Sequence, residues 1–309
     1  MGYCKLVNVI AVLGLALMVA ACGESRTDEM EAAAEDDAKL SVYAVNYPLQ
    51  FMAERIGGDL VQVEFPAPAD VDPAYWSPDA ETIGAYQRAD LILLNGARYA
   101  GWVDLTTLPA SKLVNTSQAF EGRYIELEGV VTHSHGPEGE HAHGDLAFTT
   151  WLDPTLALEQ ARAIQHTFAA ALPEHEEAFQ RRYTAFERDV LNLDGTLEAL
   201  FAANPGRPLL GSHPVYQYFA RRYNLNLQSV HFEPDEMPDE ASWSDLGMLL
   251  RDHPVDIMLW EAEPMAEIAA RLRELGIVSV VFDPCANRPA QGNLESVMTQ
   301  NLANLQAVF

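Results

Sequence analysis

Short apolar runs alternate with helical segments twice along the chain, and this alternation restricts the fold more than any other feature. The first half carries LSVYAV at 40–45, VQVEF at 61–65 and ADLILLN at 89–95, separated by PLQFMAERIG and DAETIGAYQRA. The second half carries PLLGS at 208–212, DIMLWE at 256–261 and VSVVFD at 278–283, separated by VYQYFARRY, WSDLGMLLRD and AEIAARLRELG. Short apolar strands spaced by helices read as parallel sheets covered on both faces. The expected fold class is α/β, with two α/β lobes and mainly parallel sheets.

The join between the halves has its own pattern. Pro173 is followed by Glu174, Glu176 and Glu177, which suits a helix start: proline fits the first turn and carboxylates favour the positive end of the helix dipole. Phe179, Tyr183, Phe186, Val190, Leu193, Leu197 and Leu200 then recur at steps of three and four, placing them on one helix face. A helix from Pro173 to Ala203 would be about 45 Å long, enough to run along both lobes. Gly195 is a point where it would kink or weaken.

The amino end reads as export and anchoring. Lys5 precedes an uncharged apolar run from Val9 to Ala21, too short for a comfortable membrane span and matching a secretory signal. Val19, Ala20 and Ala21 precede Cys22 as in a bacterial lipoprotein cleavage box, so Cys22 is the expected lipidation site and membrane lipid an expected partner. Gly23 to Ala38 is charged, rich in small residues and without an apolar period, the composition of a disordered tether. The expected organisation is a signal peptide at 1–21, a tether at 22–39, a first lobe at 40–154, a linking helical segment at 155–203 and a second lobe at 204–309.

Charge narrows the function. With 19 Lys+Arg against 45 Asp+Glu, the net charge is −26. Nucleic acid is excluded as an expected partner, because phosphate binding needs a basic face. Cys285 is the one thiol left once Cys4 is removed with the signal and Cys22 is lipidated, so disulfides play no part in the expected fold.

Candidate ligands gather in two places. His213, Glu261 and Asp283 each follow an expected strand, and open parallel sheets bind ligands beyond their strands' carboxyl ends. Singly, each reads as a structural residue or helix cap. The second place is the loop at 131–146, VTHSHGPEGEHAHGDL, where His133, His135, His141 and His143 fall on a glycine-broken backbone. His133 and His135, like His141 and His143, are two apart, so each pair projects to one side of an extended chain. His166, His175, His231 and His253 lack paired spacing and are expected at the surface. Tyr75 and Trp76 are candidates either for closing a cleft or for packing, and Cys285 for a small buried hydrophobe.

Several segments together resemble a known family. SHPVYQYFARRYNL at 212–225, FDPCANRP at 282–289, DVDPAYWSPDAETIGAYQRADLILLNGARYAGW at 70–102 and WLDP at 151–154 are similar, in order and spacing, to segments of the zinc- and manganese-type ABC transporter solute-binding proteins. The resemblance implies two α/β lobes bridged by a long rigid helix, with one metal in the interlobe cleft. It implies an extracytoplasmic, periplasmic protein that delivers its cation to an ABC transporter permease, without catalysis and as a monomer. His213 and Asp283 match the family's ligand positions. Two other positions depart from it: Ala74 follows Asp72-Pro73 where a histidine is usual, and Thr149 stands two residues before Trp151 where a second is usual.

The loop is the expected replacement. Two of its imidazoles, with His143 first and His135 second, would join His213 and Asp283 in a four-coordinate nitrogen-and-oxygen site suited to Zn2+. The competing reading leaves the loop as a weak collector, with water or Glu261 completing the site. Mn2+ or Fe2+ in a more carboxylate-rich site is the alternative cargo. A zinc hydrolase with Glu261 as general base, or a degenerate lipoprotein that binds a partner, are the readings from other classes.

Overall fold

The computed structural model describes residues 39–127, 132–134, 140–142 and 146–309, and Lys39–Phe309 forms one unit. Cys22 and the expected signal and tether lie outside the described residues, apart from Lys39. Among the described residues no helix is long and apolar enough to cross a membrane.

The alternation read from the sequence is realised as two four-stranded parallel sheets. In the first half the order along the chain is β1 (Leu40–Ala44), α1 (Tyr47–Gly57), β2 (Val61–Glu64), α2 (Ala80–Arg88), β3 (Leu91–Leu94) and β4 (Leu113–Asn115). These strands lie side by side as β2-β1-β3-β4, all parallel. A separate antiparallel pair, β5 (Thr132–Ser134) and β6 (Glu140–Ala142), sets His133 opposite His141. Two long helices follow, α3 (Pro154–Ala171) and α4 (Glu176–Ala202). The second half runs β7 (Pro208–Gly211), α5 (Gln217–Tyr223), β8 (Asn226–Ser229), α6 (Glu240–Asp252), β9 (Ile257–Trp260), α7 (Ala266–Glu274), β10 (Val278–Val281) and α8 (Leu294–Gln306). Its sheet is ordered β10-β9-β7-β8 and is again parallel throughout.

The edge strands β4 and β8 were not expected from sequence. Their LVN and NLQS segments are short and half polar and bury no residue fully, so apolar runs do not reveal them.

The long helix begins three residues later than expected, because Pro173–His175 forms a single 3-10 turn. Its 27 residues span about 40 Å and run without interruption through Gly195. Phe179, Tyr183, Phe186, Leu197 and Phe201 are buried along it, with Val190, Leu193 and Leu200 packed beside them. One apolar core continues from Phe51 and Trp151 in the first half to Phe219, Phe282 and Leu294 in the second. The buried carboxylate of Asp194 fixes α4 to α5, accepting hydrogen bonds from Arg222 at 3.0 and 2.6 Å and from the Tyr223 hydroxyl at 2.8 Å.

Hydrogen bonds also cross between the lobes. Trp151 Nε1 donates to Pro284 O at 2.8 Å, the Tyr47 backbone N–H to Ala286 O at 3.1 Å and the Tyr218 hydroxyl to Ala147 O at 3.0 Å.

Candidate metal site

In each sheet the chain turns back at the gap between two central strands, and ligands gather where strand order reverses. In the first sheet this gap lies between β1 and β3, and the residues just beyond it are amides. Asn46 Nδ2 donates to Asn95 Oδ1 at 3.2 Å, and Gln160 Nε2 donates to the same oxygen at 3.2 Å. Asn95 Nδ2 donates to Phe148 O at 2.9 Å, which anchors the segment leading to Thr149. This buried amide network holds backbone at the first lobe's gap.

In the second sheet the gap lies between β7 and β9, and the residues beyond it are ionisable. His213 follows β7, Glu261 follows β9 and Asp283 follows β10, so the three expected ligands stand at consecutive strand ends. His213 is buried, at 3% exposure. Its Nδ1 lies 3.5 Å from Glu261 Oε1 and its Nε2 lies 2.9 Å from Glu233 Oε1.

Glu233 was not singled out from the sequence, and its place follows from backbone pairing. The Val230 N–H donates to Gly211 O at 3.0 Å and the Phe232 N–H to Ser212 O at 2.9 Å. Residues 230–233 therefore continue alongside 211–213 past the end of β8. Phe232 points into the core at 2% exposure, and extended backbone sends its neighbours the other way. The His231 ring stands perpendicular to that of His213, with centres 5.9 Å apart. The HFE triplet at 231–233 alternates a histidine and a carboxylate about a buried phenylalanine, and nothing in it points to His213.

The electrostatics follow from burial. Desolvation pushes the Asp283 carboxyl above its usual range, partly offset by the Cys285 N–H that donates to its Oδ1 at 2.6 Å. Asn301 clamps the same turn, accepting from the Asp283 N–H at 3.0 Å and donating to its carbonyl at 2.8 Å. Desolvation, then the neighbouring His213, lowers the pKa of His231, while Glu233 acts the other way. Burial raises the Tyr75 phenol, and the charges of Asp72 and Glu261 raise it further. Tyr75 also packs edge-on against Phe148 with ring centres 6.2 Å apart.

The two departures from the family pattern are structural. Ala74 is buried, and its N–H donates to Asp72 Oδ1 at 2.8 Å. Thr149 is buried, with its hydroxyl committed to Val215 O. Among the four isolated histidines one expectation fails. His253 is 5% exposed and its Nε2 lies 2.9 Å from Leu209 O, so it is a core histidine with a backbone partner. Cys285 is a buried thiol, as expected, and burial raises its pKa.

His135 and His143 lie outside the described residues. His133 and His141 are placed only by their backbone pairing in β5 and β6. Among the described residues no three His, Cys, Asp or Glu side chains already surround one point fit for a metal ion. His213 holds its two carboxylates on opposite ring nitrogens, which is why the strand-end cluster does not close on a single centre.

Two parallel-sheet lobes sharing a core along one long helix, with imidazole and carboxylates at the second lobe's reversal point, define a bilobal solute-binding protein. The chain belongs to the family of zinc-uptake complex component A, periplasmic, whose model matches residues 42–308. It is 21% identical to the high-affinity zinc uptake system protein ZnuA of Yersinia pestis over 257 residues, 77% of this chain and 80% of that one. It is 24% identical to the manganese-binding lipoprotein MntA of Bacillus subtilis over 222 residues, 71% and 68% of the two chains. The crystal structure of the metal-dependent lipoprotein YcdH of Bacillus subtilis has a TM-score of 0.75 and 21% identity, covering 87% of this chain and 98% of that one. The family is one of metal-binding transport proteins that work with ABC transporter permeases outside the cytoplasm.

Proposed function

We propose that this chain captures Zn2+ outside the cytoplasm and hands it to an ABC permease, anchored to the membrane through lipid on Cys22. His213 and Asp283 are the ligands this reading takes from the family pattern. The observation that carries it is His213 itself: a buried imidazole at a sheet reversal point, between two carboxylates. Imidazole suits zinc better than manganese, which prefers oxygen donors. The four histidines of the 131–146 loop are assigned to collecting zinc, and the loop deletion tests this against a direct role as ligands.

The test is competitive titration of the purified chain with Zn2+ and Mn2+, beside His213→Ala. One tight zinc equivalent, preferred over manganese and lost in the variant, is the expected result. Tighter manganese binding, or zinc binding untouched by His213→Ala, would refute the reading.

A further inference from the structure

The family pattern supplies four ligands, and this chain keeps two. The other two positions hold Ala74 and Thr149, and the Thr149 hydroxyl is already used between the lobes. Any cation bound at His213 needs ligands from elsewhere. The groups nearest to its Nε2 belong to the turn after β8.

Their geometry is close to that of a coordination sphere. Two donor atoms each about 2.0–2.1 Å from a tetrahedral zinc lie about 3.3 Å apart, and two imidazole centres about 5.2 Å apart. His213 Nε2 and Glu233 Oε1 are 2.9 Å apart, and the rings of His213 and His231 are 5.9 Å apart. Both separations come within about 0.7 Å of the ligating values. A cavity of about 240 Å3, lined by His231, Glu233, Glu236, Met237, Pro238, Asp239 and Ser242, opens on the same two side chains. It gives an acidic approach for a cation. On the opposite ring nitrogen, Glu261 stands where a carboxylate orients a metal-bound histidine and fixes its tautomer.

We propose that His231 and Glu233 are metal ligands that replace the two missing from the first lobe, binding the cation at Nε2 of His213. The inference rests on the zinc-binding reading above and deepens it. The site is built in the second lobe, from the imidazoles of His213 and His231 and the carboxylate of Glu233, while Asp283 stands two strands from His213, beyond Glu261 on its Nδ1 side. Glu261 is then a positioning residue that acts through Nδ1 of His213. In the metal-free chain the His213–Glu233 contact occupies the place of the cation.

The experiment titrates Zn2+ and Co2+ into the full chain in mild detergent, beside His231→Asn and Glu233→Gln, with thermal melts as a check on folding. The glutamine variant keeps the shape of Glu233 and removes only its charge. The expected result is at least about a tenfold loss of zinc affinity in each variant, on the scale of losing even an outer-shell partner. The visible Co2+ spectrum should also change, which a purely structural role would not cause. Zinc affinity and Co2+ spectra that match wild type in both variants overturn the assignment while leaving the zinc-binding reading in place. A wild-type chain that takes up no zinc overturns both, so the two failures are distinguishable.

Discussion

Thr149 Oγ1 donates to Val215 O at 2.5 Å, tying the segment before α3 to the turn that follows β7. The family resemblance expects an imidazole at this position. Threonine instead serves as a fastening between the lobes, two residues from the Trp151 indole that donates to Pro284 O. Both contacts hold the first lobe's segment before α3 against the second lobe.

Thr149→Val keeps the shape and removes the donor, leaving the part-buried Val215 carbonyl without that partner. The expected cost is about 1–3 kcal/mol. Denaturant unfolding measures it, and Thr149→Ser should recover most of it. A serine variant as unstable as the valine one would assign the effect to packing.

Asp194→Ala should be among the most damaging single changes on α4. It removes the acceptor of both Arg222 bonds and of the Tyr223 hydroxyl. Breaking a buried pair costs about 3–5 kcal/mol, and here about 2–3 kcal/mol is expected because Arg222 still reaches water. The same unfolding measurement tests this, and a change under about 1 kcal/mol would contradict the role given to the pair.

Asp283→Asn should stabilise the metal-free protein at neutral pH. Burial holds the folded-state carboxyl above its unfolded value, about 3.9. A raised folded pKa contributes stability that is complete below the unfolded value and lost as pH rises through the folded one. Ionised Asp283 therefore weakens the metal-free fold at pH 7. The gain from asparagine should shrink as pH falls through the folded pKa and vanish below about 3.9. Calorimetric melts across this range, with chelator present, give the profile. A stabilisation that persists in acid would show that charge is not the cause.

Removing residues 133–143 should leave the affinity of the tight zinc site within about twofold and reduce the number of weakly held zinc ions. Titration with a chromophoric chelator separates the two classes. Loss of the tight site in this deletion would return the missing ligands to the loop histidines.

Much of this protein is local. Two rounds of strand–helix alternation, the apolar face from Phe179 to Leu200 and the placement of His213, Glu261 and Asp283 after strands all follow from residues close in sequence. Periodicity and capping act over a few positions, so the sequence alone determined both sheets' central strands, the long helix and one edge of the site. The edge strands β4 and β8 carry too little apolar contrast to be seen that way. His253 shows the same limit: its burial depends on Leu209, 44 positions away.

The tertiary structure alone decided what surrounds His213. Glu233 meets its Nε2 because residues 230–232 pair with 211–212 beyond the end of β8, and Glu261 meets Nδ1 because β9 lies beside β7. The spacing of 20 and 48 positions carries no period that points to either contact. Sheet order brings these groups together, and sheet order is fixed by packing across the whole chain.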